Sequence, residues 1–478
     1  MTLSNGSPAG ETGSPGSAAI DAALPPDPPR TLTPGEARAA LLRDGPILST
    51  LVRLSLPNLI ALCSATIVSI AETAYAGSLG VASLGGIALA FPIFMLMQML
   101  SAGAMGGTVS GAISRALGAG KRDHAQALAL CSLALGLALG LVFALTVRFA
   151  GPAAYRLLGG SGPVLDQAIA FSNVAAFAIV AIWTTNMLAS IARGSGIMAF
   201  PAWTLLAAGI VQVVIGGTLG LGLGPAPRLG LAGVALGQVV AFFGAALVLL
   251  FNQRSSRSPL PLRFDPALLT VARFREILRV GVVAMLSPLL SVATVLILTA
   301  LVARYGAEAL AGYGIGVRLE FLLIPITFSV GVACVPMVGT AMGSGAVARA
   351  RRVAWTAGSL AAAVLGVLGL LAVLLPHLWV DMFTQNAAVA AAAETYLRIA
   401  GLAFGFFGLG LCLYFASQGA GRVGGAITAQ AMRLALVAVC GWLLASSAAP
   451  LWTIFALSAA AMVLMGLATA AFLKLARW

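Results

Sequence analysis

Two carboxylates stand where carboxylates are expensive. Of fourteen acidic residues, Glu72 (in IAETAYAG) and Glu320 (in VRLEF) read as the two that lie within long apolar runs. A charged side chain at the centre of a bilayer costs about 2.5–3.5 kcal/mol even on translocon scales, so each asks for a role or a partner. Desolvation favours the neutral acid. A group that accepts a proton from one side and gives it up on meeting a cation is sufficient to couple two flows. For Glu72 two readings stand: such a coupling group, or a carboxylate near the outer end of its span that reaches headgroup water. Arg318 precedes Glu320 by two positions, and side chains two apart on a helix face different ways. Glu320 can therefore turn into a cavity while Arg318 neutralises another acid or a carbonyl; the alternative is an ion pair that stabilises one bundle.

The elements that carry these residues follow from composition. Hydrophobic residues make up 60% of the 478-residue chain and charged residues 9%, against about 25% charged in an ordinary soluble domain. This is a bilayer protein. Twelve apolar spans are expected near 47–75, 86–111, 125–147, 167–190, 200–222, 231–252, 278–302, 310–339, 353–376, 393–416, 425–446 and 450–473. The fold class is an all-α membrane protein, and the chain contains itself twice. A shift of 226 residues lays Arg53, Thr73, Gly80 and Gly86 on Arg279, Thr299, Gly306 and Gly312. A shift of 225 lays Gly118 and Gly120 on Gly343 and Gly345, and the Gly194–Gly196 turn on Gly419–Gly421. Such doubling marks a transporter built from two like-oriented halves.

The division expected is a flexible Pro/Gly/Ser-rich tail over 1–44, one lobe over 45–252, a basic link over 253–277 and a second lobe over 278–478. The tail lacks the apolar core of a signal peptide, and residues 34–44 read as a short interfacial helix. A net charge of +13 does not point to nucleic acid, because the cations sit between spans, where they set topology. Arg148, Arg156, Arg228, Arg304 and Arg398 fall on one side, Arg318 and Arg433 within spans, and the other Lys and Arg on the side of the termini and central loop. The positive-inside rule then puts both termini in the cytoplasm. Arg433 is expected to snorkel to that surface. The five cysteines are scattered through apolar runs and the two histidines read as loop residues, so neither disulfides nor a metal site is expected. Asn58, Gln98, Asn186, Gln212 and Gln430 either line a cavity or bond helix to helix.

The run LVRLSLPNLIALCSATIVSIAETAYAGSLGVASLGGIALAFP with ISRALGAGKRDHA resembles the first lobe of the multidrug and toxic compound extrusion (MATE) family. LRVGVVAMLSPLLSVATVLILTALVARYGAEALAGYGIGVRLEFLLIP with VGTAMGSG is similar to its second lobe, and GLGPAPRLGLAGVALG and ASQGAGR also fit. The resemblance implies two six-helix bundles around a central cavity and alternating access. Export of organic cations or other amphipathic molecules would be driven by inward protons or sodium. It places Glu72 where the first helix of the family usually carries an essential Asp, and Pro57 at its first-helix proline. Ion coupling is expected at Glu72 and Glu320, and the cavity set is Glu72, Asn58, Gln98, Gln212, Ser291, Arg318 and Glu320. This chain departs from the family where the fifth helix commonly shows Asn and Asp, since Gln212 and Gly216 stand there; Ser291 lies near the place of a seventh-helix Glu. A sodium ion wants several hard oxygen ligands, so protons are favoured and no cofactor is expected.

The setting expected is a bacterial-type inner membrane, with a monomer in the bilayer. Alternatives are a lipid-linked precursor flippase of the same superfamily and a sodium-coupled drug antiporter. An integral membrane enzyme would need a catalytic His or Cys with partners, which no motif here supplies. The chain has no phosphate loop of the G-x-x-x-x-G-K-[ST] type and so no ATP hydrolysis of its own.

Overall fold

The structure is a computed structural model that describes residues 40–255, 258–447 and 449–475. Twelve long apolar helices account for most of it. They are α1 (Ile47–Ser78), α2 (Val81–Gly118), α3 (Arg122–Leu157), α4 (Gly162–Gly194), α5 (Ala199–Leu221), α6 (Leu231–Arg254), α7 (Val271–Ala303), α8 (Ala307–Gly343), α9 (Val347–Leu374), α10 (Ala387–Ala420), α11 (Gly424–Ser446) and α12 (Leu451–Leu475). Among the described residues there is no strand. The all-α, twelve-span, two-lobe reading holds.

Most helices exceed the roughly 20 residues a bilayer needs, up to 38 in α2, and their ends take in residues that the apolar runs alone leave outside. His124 and Asp123 open α3, and His377 opens a one-turn helix (His377–Val380), so neither histidine is a loop residue. Glu394 lies two turns inside α10 and pairs with Arg398 at 3.2 Å, so Glu72 and Glu320 are not the only acids on spans. Residues 40–44 are helical; the rest of the tail lies outside the described residues.

The glycines that repeat have a backbone reason. Gly80 and Gly306 precede α2 and α8 with φ of 115° and 104°, a region open to glycine and strained for other residues. Two departures from regular α-helix interrupt the spans. Met99–Met105 in α2 is a π-helical stretch, and Gly401–Ala403 in α10 is a 3-10 turn. Each lobe has its own apolar core, one around Trp183, Met187 and Leu128, the other around Tyr396, Phe404 and Phe455.

The lobes join on the face that carries the central loop. Leu51 and Leu54 of α1 pack with Val330, Met337 and Val338 of α8. Hydrogen bonds cross between the lobes in that half: Arg115 donates to the carbonyls of Gln418 and Gly419, Arg349 donates to the carbonyl of Gly45, and His124 pairs with Glu276. Glu72, six residues from the far end of α1, and Glu320, in the first half of α8, both lie toward the other face.

Candidate functional site

Glu72 is half-buried, and its carboxylate has one close partner. Nε2 of Gln212, on α5, donates to its Oε1 at 2.6 Å. One turn farther along α1, the Tyr75 hydroxyl donates to the Val213 carbonyl at 3.3 Å. A Cβ on Gly217 would meet the Tyr75 ring at 2.8 Å, so glycine on α5 is what lets α1 lie this close. Gln212 is itself 6% exposed. An amide suits a carboxylate that changes protonation state: its N–H₂ serves the ionised form, and half a turn of the amide offers a carbonyl to the acid.

The absence of a second acid at Gly216 has a packing cause. A Cβ there would stand 3.2 Å from the Val234 carbonyl oxygen, and one on Gly237 would stand 2.4 Å from the Gly216 nitrogen. Gly216 therefore faces α6 in backbone contact, the close approach by which helices associate in lipid.

Glu320 is half-buried in the second lobe and accepts a hydrogen bond from the hydroxyl of Tyr396, on α10. Tyr396 is fully buried, edge-on to Tyr313 and Phe455 at 5.1 and 5.2 Å between ring centroids. Arg318 is exposed, with its guanidinium carbon 5.6 Å from the Phe383 ring centroid. Its described contact is thus an aromatic face rather than an acid. Glu320 and Arg318 do not pair, as their spacing requires.

Arg433 corrects the expectation that it snorkels. It is 4% exposed, lies over Phe407 at 5.7 Å and contacts the Met465 sulfur at 3.7 Å through Nη1, while its Nε makes no hydrogen bond. Glu320 lies close enough for its charge to act on the guanidinium, so an acid and a cation share this lobe. The acid lowers the cost of the buried cation, and the aromatic and thioether contacts hold it there.

The remaining expected cavity residues do not gather around Glu72. Asn58 is buried and donates to its own helix at Leu54 and toward the Met198 sulfur. Gln98 is exposed and accepts from Asn186 at 3.4 Å, next to the Asn186–Ser101 bond of 2.8 Å. Ser291 lies 3.4 Å from Nε2 of Gln430, which also reaches Ser287 at 3.2 Å. Asn186 and Gln430 therefore bond helix to helix, while Asn58 bonds within α1 and toward the residue that precedes α5. The structure brings together Glu72 with Gln212 and Glu320 with Tyr396. Sequence reasoning named the first pair separately and missed Tyr396 altogether, for no pattern links it to Glu320.

Comparison with known proteins decides the family. The MatE family model matches residues 57–218 and 284–444, one stretch in each half. This chain belongs to the MATE family. It is a multi-pass membrane transporter, in contact with lipid, and not an enzyme. A MOP superfamily transporter from Pyrococcus furiosus shares the MATE fold with it at a TM-score of 0.84 and 21% identity, over 93% of this chain and 98% of that one. The Vibrio cholerae MATE transporter VcmN in its bent form gives a TM-score of 0.81 at 20% identity, over 92% of this chain and 98% of that one. Among curated proteins, this MATE chain is 26% identical to the FAD transporter of Shewanella oneidensis, over 65% of this chain and 69% of that one. It is 24% identical to the probable multidrug resistance protein NorM of Thermotoga maritima, over 75% of this chain and 76% of that one. The twofold match of one family model agrees with the internal repeat, and the MATE lobes carry the two carboxylate sites asymmetrically.

Proposed function

We propose that this MATE transporter exports amphipathic organic cations in exchange for protons, with Glu72 as the group that alternates between the two. The observation that carries the reading is the Glu72–Gln212 pair: a carboxylate within a span whose close partner is a neutral amide at 2.6 Å. A permanently charged partner would hold the carboxylate ionised, whereas an amide leaves it free to take a proton or pair with a substrate cation. The amide offers one soft-field oxygen at most, a poor start for a sodium shell of several hard ligands. Glu320, held by Tyr396, is the second carboxylate in the cycle.

Orientation follows the positive-inside rule, with the termini and central loop in the cytoplasm of a bacterial-type cell and the protein in its inner membrane. The lobes then meet on the cytoplasmic side and both carboxylates lie toward the outside, an outward-facing arrangement in which protons reach them first. A single chain carries both lobes, so the unit of transport is the monomer.

The test is export of a fluorescent organic cation from proteoliposomes under a pH gradient or a sodium gradient imposed separately. A pH gradient alone is expected to drive it, and Glu72→Gln, at normal expression, is expected to lose most of it. Transport driven by sodium alone sinks the proton assignment; a Glu72→Gln variant as active as the parent sinks the role of Glu72.

A further inference from the structure

The π-helical stretch of α2 has a partner from the other lobe. Gln418, fully buried near the end of α10, directs its Nε2 at the carbonyls of Gly103 and Ala104, at 3.3 and 3.5 Å. A π-turn displaces the regular i→i−4 ladder, and such turns collect at functional sites. Room for the amide is made by Gly107, where a Cβ would stand 1.7 Å from Gln418 Oε1. From the first lobe, Arg115 reaches back. Its Nη1 donates to the carbonyls of Gln418 and Gly419 at 3.1 and 2.7 Å, where α10 ends in the left-handed Gly421. A cation on the last carbonyls of a helix is favoured by the helix dipole as well as by the hydrogen bonds.

The repeat shows that this arrangement is one-sided. The shift of 225 that lays Gly194 on Gly419 lays Arg193 on Gln418 and Arg115 on Thr340. Arg193 is 7% exposed, yet its described hydrogen bond is to Ala189 of its own helix at 3.2 Å. The segment of α8 that corresponds to the π-turn, around Phe328 and Ser329, is ordinary α-helix. Arg193 instead borders a cavity of about 10 Å³ with Ser110 and Val332, about one water-sized sphere. Around both positions, α2 and α8 touch backbone to backbone: a Cβ on Gly118 would stand 2.3 Å from the Thr340 oxygen, and one on Gly343 2.1 Å from the Arg115 oxygen.

We propose that Gln418 and Arg115 are positioning residues that form the latch of the closed face, holding the lobes together where the central loop lies and setting the balance between the two access states. The inference rests on the alternating-access reading given above. Both bonds end on backbone carbonyls, so their strength does not change with pH. They set a fixed bias against which protonation of the carboxylates near the opposite face works. The lobes cannot part on this side without breaking both, together with the Arg349–Gly45 and His124–Glu276 contacts. Hydrogen bonds from charged groups are strong enough that losing the Arg115 contacts shifts the ratio of states about tenfold or more.

The experiment is a spin-label distance measurement between Lys121→Cys and Ser344→Cys, exposed positions on opposite lobes at this face, in a Cys63→Ser full-length background in lipid nanodiscs. Arg115→Ala and Gln418→Met are expected to populate a longer distance that the parent lacks or shows weakly. Arg115→Lys, which keeps a donor, is expected to stay close to the parent. Met fills the volume of Gln without its amide, so loss of packing is not the cause of the shift. A purely structural role would lower thermal stability and leave the distance distribution unchanged, and that result in both variants overturns the latch. The readout needs no substrate or ion gradient, so a failure of the proton-export reading would appear in the transport assay and leave these distances informative.

Discussion

Replacing Gln212 by Leu removes the donor to Glu72 while keeping nearly the same volume at a site that is 6% exposed. The bond lost is 2.6 Å long and ends on a carboxylate, and hydrogen bonds to charged groups contribute about 1.5–3 kcal/mol. Most of that energy belongs to the ionised form, because an N–H donated to a carboxylate makes a stronger bond than the one the turned amide makes with the neutral acid. Without it the proton is held more tightly, and its release on the cytoplasmic side requires a higher pH there. At 1.36 kcal/mol per pH unit, the midpoint of the pH profile for cation export should move alkaline by about one to two units, with the maximal rate at high pH retained. The assay is fluorescent-cation transport in proteoliposomes over a series of pH values with the same pH difference imposed across the membrane each time. Gln212→Asn, which shortens the reach by one methylene, should fall between the parent and Leu. A midpoint that stays in place while Gln212→Leu remains folded and active would refute the argument that the amide tunes Glu72.

Tyr396→Phe deletes the hydroxyl that Glu320 accepts from while keeping the ring contacts with Tyr313 and Phe455. Cation export near neutral pH should fall by about tenfold or more with little change in thermal stability; parent-like export at all pH values would count against a role for Glu320. Gly237→Leu drives a side chain into Gly216 and the Gln212 carbonyl, 2.4 and 2.7 Å from its Cβ. Overpacking should cost about 1–3 kcal/mol, seen as a lower melting temperature in detergent. It should also weaken transport, because α5 carries Gln212 away from Glu72; unchanged stability would show that α5 and α6 part more easily than the contact suggests.

The amino-acid sequence settled the solvent, and with it the secondary structure. A chain with 9% charged residues and long apolar runs must fold as helices, because a bilayer offers no partner for an open backbone group. It also set the two-lobe plan, since Gly80 and Gly306 mark the same turn in each half and only the backbone angle there needs explaining. Glu72 and Glu320 were legible because a carboxylate in an apolar run is conspicuous whatever surrounds it. Their partners were not. Gln212 lies 140 residues from Glu72, and Tyr396 lies 76 from Glu320. In lipid, lateral helix contacts are chosen by small-residue approach and polar matching rather than by hydrophobic periodicity. Arg433 looked like a surface-seeking cation by its depth along a helix, but depth says nothing of which way the side chain turns. Here it turns inward, over Phe407 and into the field of Glu320. Nor does the repeat disclose that Gln418 meets a π-turn while Arg193, at the matching position, does not. Sequence placed the charges along the helices; which of them face one another was decided by rotation and close packing, which exist only once the helices have assembled.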